Sequence, residues 1–259
     1  MTRPEETARQ APEGTAVVIA DVGALPWRAL PPAGLHAKTL SVDPETGART
    51  ALLRMAPQEG YVPPATAHYH DTYEEILGVS GRFTFDAKVW LERGGYIYHP
   101  AGTVHGFTSL VPEDSILLSR VGPGHMGNAV TEPAQPDMYS VYETADPRAP
   151  VAASDPAAGI APEPRAFLGD QIVQWREIAA APMRAHGAAM VVLPAGWRTT
   201  AAVADQTVEI FTLTPGLVLD GVTVPESSGG SFVRIPIGAA VPSMACTTDV
   251  HAFVTFGDI

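Results

Sequence analysis

Cysteine is almost missing from this chain of 259 residues: Cys246 is the only one. No internal disulfide can form, and no thiolate cluster is available to a metal. Positive charge is also scarce. Lys and Arg number 16 against 28 Asp and Glu, the net charge is −12, and no run of basic residues occurs. Nucleic acids and anionic membrane surfaces are recognised by concentrated positive charge, so neither is expected as a partner. Nothing approaches the run of about 18 apolar residues that a membrane-spanning helix needs. Residues 1–14 are polar and charged, without the apolar stretch of a secretory signal. These absences together point to the cytoplasm.

What is present is punctuation: 24 Gly and 25 Pro in a chain that is 46% hydrophobic and 17% charged. That density suits many short strands joined by turns. Strand-like runs fall at residues 17–20, 38–42, 50–55, 75–79, 82–85, 96–99, 105–109 and 116–121, a spacing typical of a closed barrel or jelly roll. Residues 1–15 read as a flexible tail, and 123–165, rich in Pro and Ala, as a linker crossing between domains. A helix is expected near 171–181. Strand signals then resume at 188–193, 209–213, 217–220, 231–235 and 250–256.

The second half repeats the first. Glu74 precedes Gly81 by the same spacing as Glu209 precedes Gly216, and Pro100-Ala101-Gly102 matches Pro236-Ile237-Gly238. Such self-similarity indicates duplication. The expected organisation is therefore all-β, with one barrel over 16–122 and a second over 166–259.

The chemistry concentrates in the first copy. His68-Tyr69-His70 begins a strand, and side chains two apart on a strand share a face, so both imidazoles enter the barrel. Glu74 follows, and His105 lies on what should be a neighbouring strand. Three imidazoles and a carboxylate suit a borderline divalent metal and leave coordination positions open. Histidines turned inward without a metal would bury polar groups at a cost. Glu75 is the rival carboxylate; facing the opposite side, it would meet solvent or the other barrel. Aligning the repeats on the Glu–Gly spacing sets Val203, Asp205, Glu209 and Val241 against His68, His70, Glu74 and His105. The second barrel is then expected to hold no metal, with His186 and His251 as ordinary surface or hydrogen-bonded residues.

The run Gly60, His68-x-His70-x3-Glu74-x6-Gly81, followed by Gly94-x5-Pro100-x-Gly102-x2-His105, resembles the two signature motifs of the cupins. The chain departs from them in the spacing after Gly60 and in having Ser109 where an Asn is usual. Residues 27–34, 38–43 and 52–55 further resemble the subgroup of ChrR-type sensor cupins and 2,4'-dihydroxyacetophenone dioxygenase. The resemblance implies two tandem cupin barrels and one divalent metal per chain, Fe(II) favoured and Zn, Mn or Ni as alternatives. It also implies a non-haem oxygenase acting on a small hydroxyketone or hydroxyaromatic compound. The alternatives are a metal-dependent isomerase, cyclase or lyase, and a metal-containing sensor or ligand-binding bicupin.

Around the ligands, His99 and Tyr61 are the candidates for catalytic groups. His125 is a candidate lid residue, while Phe83, Phe85, Trp90 and Phe107 read as core or pocket lining. Asp71 and Arg120 are candidates for supporting contacts. A homodimer is expected, with residues 17–22 adding to a partner's sheet edge.

Overall fold

The computed structural model describes residues 14–63, 67–85, 87, 90–99, 101–102, 104–106, 109–124, 129–130, 174–179, 186–200, 203–223 and 229–257. His125 and Phe107 lie outside them, as does nearly all of the expected linker. The first half contains β1 (Val17–Ile19), β2 (Arg28–Leu30), β3 (Leu35–Val42), β4 (Arg49–Met55), β5 (His68–Tyr69), β6 (Glu74–Ser80), β7 (Tyr96–His99), β8 (Ser115–Val121) and β9 (Ala129–Val130). The second contains β10 (Gln174–Ala179), β11 (His186–Leu193), β12 (Val208–Thr212), β13 (Leu217–Leu219), β14 (Val222–Thr223), β15 (Phe232–Ile235), β16 (Met244–Cys246) and β17 (Val250–Gly257). The fold is all-β, with two tandem cupin-type barrels. No helix among the described residues is long and apolar enough to cross a membrane.

Two six-stranded antiparallel sheets organise the molecule, ordered β2-β3-β4-β8-β6-β7 and β1-β15-β12-β17-β11-β10. Alternation along each strand sends one row of side chains into its own barrel and the next row toward the other barrel. In the first barrel the inward rows supply Met55, Ile76, Phe83, Leu91, Ile97 and Leu117. In the second they supply Val191, Val208, Ile210, Val233, Ile235 and Val254, among others. The outward rows meet in a shared layer: Leu40, Leu52, Leu77, Tyr96 and Leu118 pack with Met190, Phe211, Phe232 and Phe253. Each such large side chain contributes about 1.5–3 kcal/mol by leaving water, so this layer binds the halves firmly. Tight turns close the hairpins. Gly81 ends β6 at φ 73°, where a Cβ would fall 2.4 Å from the Asp114 carbonyl oxygen, so this motif position requires glycine.

The structure differs from the sequence expectations in three segments. Within the expected helix at 171–181, the described residues 174–179 form strand β10, which pairs with β11 from Gln174↔Val192 to Ala179↔Ala188. A six-residue segment of mixed polarity does not distinguish the two states, and the edge of β11 offers hydrogen-bond partners that decide for strand. Ala129–Val130, within the expected linker, pairs with His68–Tyr69. Val17–Ile19 does cover a sheet edge, but the edge belongs to the second half of the same chain, with Val17 opposite Arg234 and Ile19 opposite Phe232. The Val22 N–H bonds the Gly230 carbonyl, and Lys38 Nζ donates to the carbonyls of Val22 and Gly23 at 2.9 and 3.0 Å, clamping this crossing segment.

Candidate metal centre

The register of the first sheet sets the site. One cross-strand row runs Val121–Glu74–His99 and points into the barrel; the next row, Arg120–Glu75–Tyr98, points toward the other barrel. His68 and His105 face each other across a two-hydrogen-bond bridge, at 3.0 and 2.9 Å between their backbone groups. The His70 carbonyl accepts the Gly102 N–H at 2.8 Å, which ties the Pro-x-Gly turn to the first ligand strand. Main-chain pairing thus delivers the side chains to one point.

Four histidines and one glutamate meet there. The donor atoms of His68, His70 and His105 lie within 4.8 Å of one another, as do those of Glu74, His99 and His105. Glu74 Oε2 is 3.6 Å from His70 Nε2, 3.7 Å from His105 Nε2 and 3.8 Å from His99 Nδ1. A divalent ion sits about 2 Å from each ligand atom, so donors around one ion are within about 4 Å of each other. The spacing here fits such an ion.

Ring orientation sorts the histidines. The rings of His68, His70 and His105 are mutually inclined, at interplanar angles of 63°, 59° and 60° with centroids 4.4 to 5.2 Å apart. Imidazole lone pairs lie in the ring plane, so three rings inclined in this way can aim at a common point. His99 instead stacks on His105, with centroids 4.0 Å apart and planes 20° apart.

The donors lie mostly in the barrel interior. His70, Glu74, His99 and His105 are buried and His68 half-buried. Phe85 meets His99 and His105 in T-shaped contacts at 6.2 and 6.4 Å, forming an apolar wall. Burial raises the pKa of the Glu74 carboxyl, but the facing His70 and His99 and the charge of His105 outweigh it and hold it below the ordinary carboxylate range. The site therefore keeps Glu74 anionic and ready for a cation. Its other oxygen, Oε1, accepts a hydrogen bond from Ser119 at 3.2 Å.

The remaining expected residues scatter. Tyr61 is half-buried and packs on the Met55–Ile76–Phe83 cluster; burial raises its pKa. Trp90 lies under the Arg82 guanidinium at 4.2 Å. Asp71 and His251 are exposed. Glu75 faces the other barrel, where it accepts from Tyr96 Oη at 2.6 Å and pairs with the buried Arg120. Arg120 also reaches Glu209 of the second half at 3.3 Å, and Glu209 accepts from Thr50 at 2.7 Å and Ser41 at 3.0 Å. Arg234 completes the chain, 3.5 Å from Glu209 and 3.3 Å from Asp43. Arg120 is thus an interbarrel residue.

This network corrects the repeat alignment. Glu74 pairs with His99 and Val208 with Ile235, both rows facing inward, while Glu75–Tyr98 corresponds to Glu209–Arg234, both facing between the barrels. The Gly238 N–H bonds the Ala204 carbonyl just as Gly102 bonds His70. Hence Ala204, Val208, Ile235 and Val241 stand where His70, Glu74, His99 and His105 stand in the first barrel, and Asp205 is exposed. The shared Glu–Gly spacing misled by one residue, which on a strand reverses the face. Sequence reasoning also missed Ser119 and the position of His99 directly opposite Glu74. Both would have followed from the hairpin register, which spacing along the chain does not supply.

Comparison with known proteins agrees with the architecture. Residues 15–124 match the model of the ChrR cupin-like domain family. No curated protein matches the chain in sequence. Among solved structures, a dioxygenase candidate from Nostoc punctiforme is 14% identical with a TM-score of 0.67, covering 95% of this chain and 84% of that one. The pirin YhhW of Escherichia coli in complex with nickel(II) is 12% identical with a TM-score of 0.53, covering 95% and 100%. Salicylate 1,2-dioxygenase from Pseudoaminobacter salicylatoxidans is 12% identical with a TM-score of 0.50, covering 85% and 76%. Residues 15–124 thus resemble a ChrR cupin-like domain, and the whole chain shares the fold of these solved structures.

Proposed function

We propose that the first barrel binds one divalent metal through His68, His70, Glu74 and His105, and that with Fe(II) it works as a non-haem oxygenase on a small hydroxyketone or hydroxyaromatic substrate. The observation that carries the metal assignment is the gathering of three mutually inclined imidazoles, their donor atoms within 4.8 Å of one another, beside a buried carboxylate. Iron held there supplies Lewis acidity and redox chemistry. The chain's own residues do the rest. Three imidazoles and one carboxylate leave open positions for a chelating substrate. The buried donors and the Phe85 wall exclude bulk water and strengthen electrostatic interactions inside. Ser119 holds Glu74 by its second oxygen.

The oxygenase reading is supported by the donor set and by two structural neighbours that share the fold, one a dioxygenase candidate and one salicylate 1,2-dioxygenase. The test is elemental analysis of protein purified without chelator, with O2 uptake followed on a panel of hydroxyketones and catechols. About one Fe per chain with substrate-dependent O2 uptake is the expected result. One Zn, Mn or Ni per chain without O2 uptake would redirect the reading to isomerase, cyclase or lyase chemistry, or to a sensor.

A further inference from the structure

We infer that His99 is a positioning residue for Glu74 and not a fourth imidazole ligand: it aims the carboxylate from one side while Ser119 holds it from the other. The inference rests on the metal-centre reading above and specifies how that centre is tuned.

Four histidines gather at the site, and three of them, His68, His70 and His105, form a fan of mutually inclined rings whose planes can meet at one point. The in-plane lone pair of an imidazole reaches an ion only if the ion lies in the ring plane. His99 and His105 are separated face to face by 4.0 Å and tilted by only 20°, so their planes do not meet near the cluster. His105 belongs to the fan with His68 and His70, at 59° and 60°. His99 is therefore the ring left out. Across the row it faces Glu74, with Nδ1 3.8 Å from Oε2, and β-pairing sets the two residues directly opposite each other. Ser119 Oγ occupies the other carboxylate oxygen at 3.2 Å. Groups that orient a ligating carboxylate in this way govern the affinity and geometry of a site.

The second barrel supports the pairing. At the same places it carries Val208 opposite Ile235, so the carboxylate and the histidine are absent together.

Co(II) is the probe, read by elemental analysis, by competition with a chelator for Kd and by the visible absorption of the bound ion. His99→Phe keeps a flat ring against His105 but removes both nitrogens; His99→Asn loses the stack but keeps a polar atom near the place of Nδ1. The expected result is one Co(II) per chain in both variants, with Kd weakened about 10–100-fold and the spectrum altered in the Phe variant, and with values nearer wild type in the Asn variant. In a Glu74→Gln background, His99→Phe should add little further loss. If His99→Phe abolishes Co(II) uptake as His105→Ala does, His99 is a ligand and the inference falls. If Phe substitutes better than Asn, or leaves Kd and spectrum unchanged, His99 only fills space and the inference falls. A wild-type chain that takes up no Co(II) overturns the metal-centre reading itself, an outcome separate from both.

Discussion

The two barrels share a backbone and divide the chemistry. Each has a hairpin row facing inward, a Pro-x-Gly turn bonded to the first motif strand, and an acid on the row between the barrels. Inside, one row reads Glu74 and His99 where the other reads Val208 and Ile235. The fold therefore does not need the donors to form. What both copies keep is the outward acid, Glu75 in one and Glu209 in the other, joined through Arg120. The candidate donors are confined to one barrel while the ionic contact between barrels uses both.

That comparison can be broken most completely at the donors. His105→Ala should remove nearly all bound metal measured by elemental analysis, while His251→Ala, on the exposed face of β17, should leave one metal per chain. Making the second barrel resemble the first without its partners should fail. Val208→Glu buries a carboxylate among Ala204, Ile235 and their neighbours, and an uncompensated buried charge costs about 3–5 kcal/mol, read as a fall in chemical-denaturation midpoint without metal uptake.

Arg120→Met tests the shared contact. It leaves the buried Glu75 and Glu209 without their common cation, at a similar cost of about 3–5 kcal/mol. Replacing both acids as well, by Gln or Leu, should recover much of the loss, because well-packed neutral groups do not carry the desolvation cost of ions.

The smallest effect is expected at Cys246, buried in the second barrel's core. Burial first, and the charge of Asp249 second, push its thiol up to about 12. An unfolded thiol ionises near about 8.5, so the contribution is complete below that pH and is lost as pH rises toward about 12. A thiol reagent at pH 8 should modify the unfolded chain and spare the native one.

Much of this was legible beforehand, and the reason differs by feature. The approximate strand runs, the His68–His70 pair, Glu74 and His105 could be read because alternation is local: a residue's face follows from its neighbours in the chain. The segment 174–179 could not, since an edge strand is decided by the strand it joins. Nor could the crossing of Val17–Ile19 into the second sheet, because the competing edges of the two halves look alike in sequence. The repeat was visible, yet its register was wrong by one residue, and that slip turned an interbarrel acid into an apparent relic of the metal site.

By itself the sequence determined the all-β class, the duplication and the donor types, since these depend on composition, period and spacing. Only the tertiary structure decided which histidine stacks and which three converge, that Ser119 holds Glu74, and that Glu209 belongs to the contact between barrels. Those outcomes depend on hydrogen-bonded register between strands far apart in the chain, where a shift of one residue exchanges the inside of a barrel for its outside.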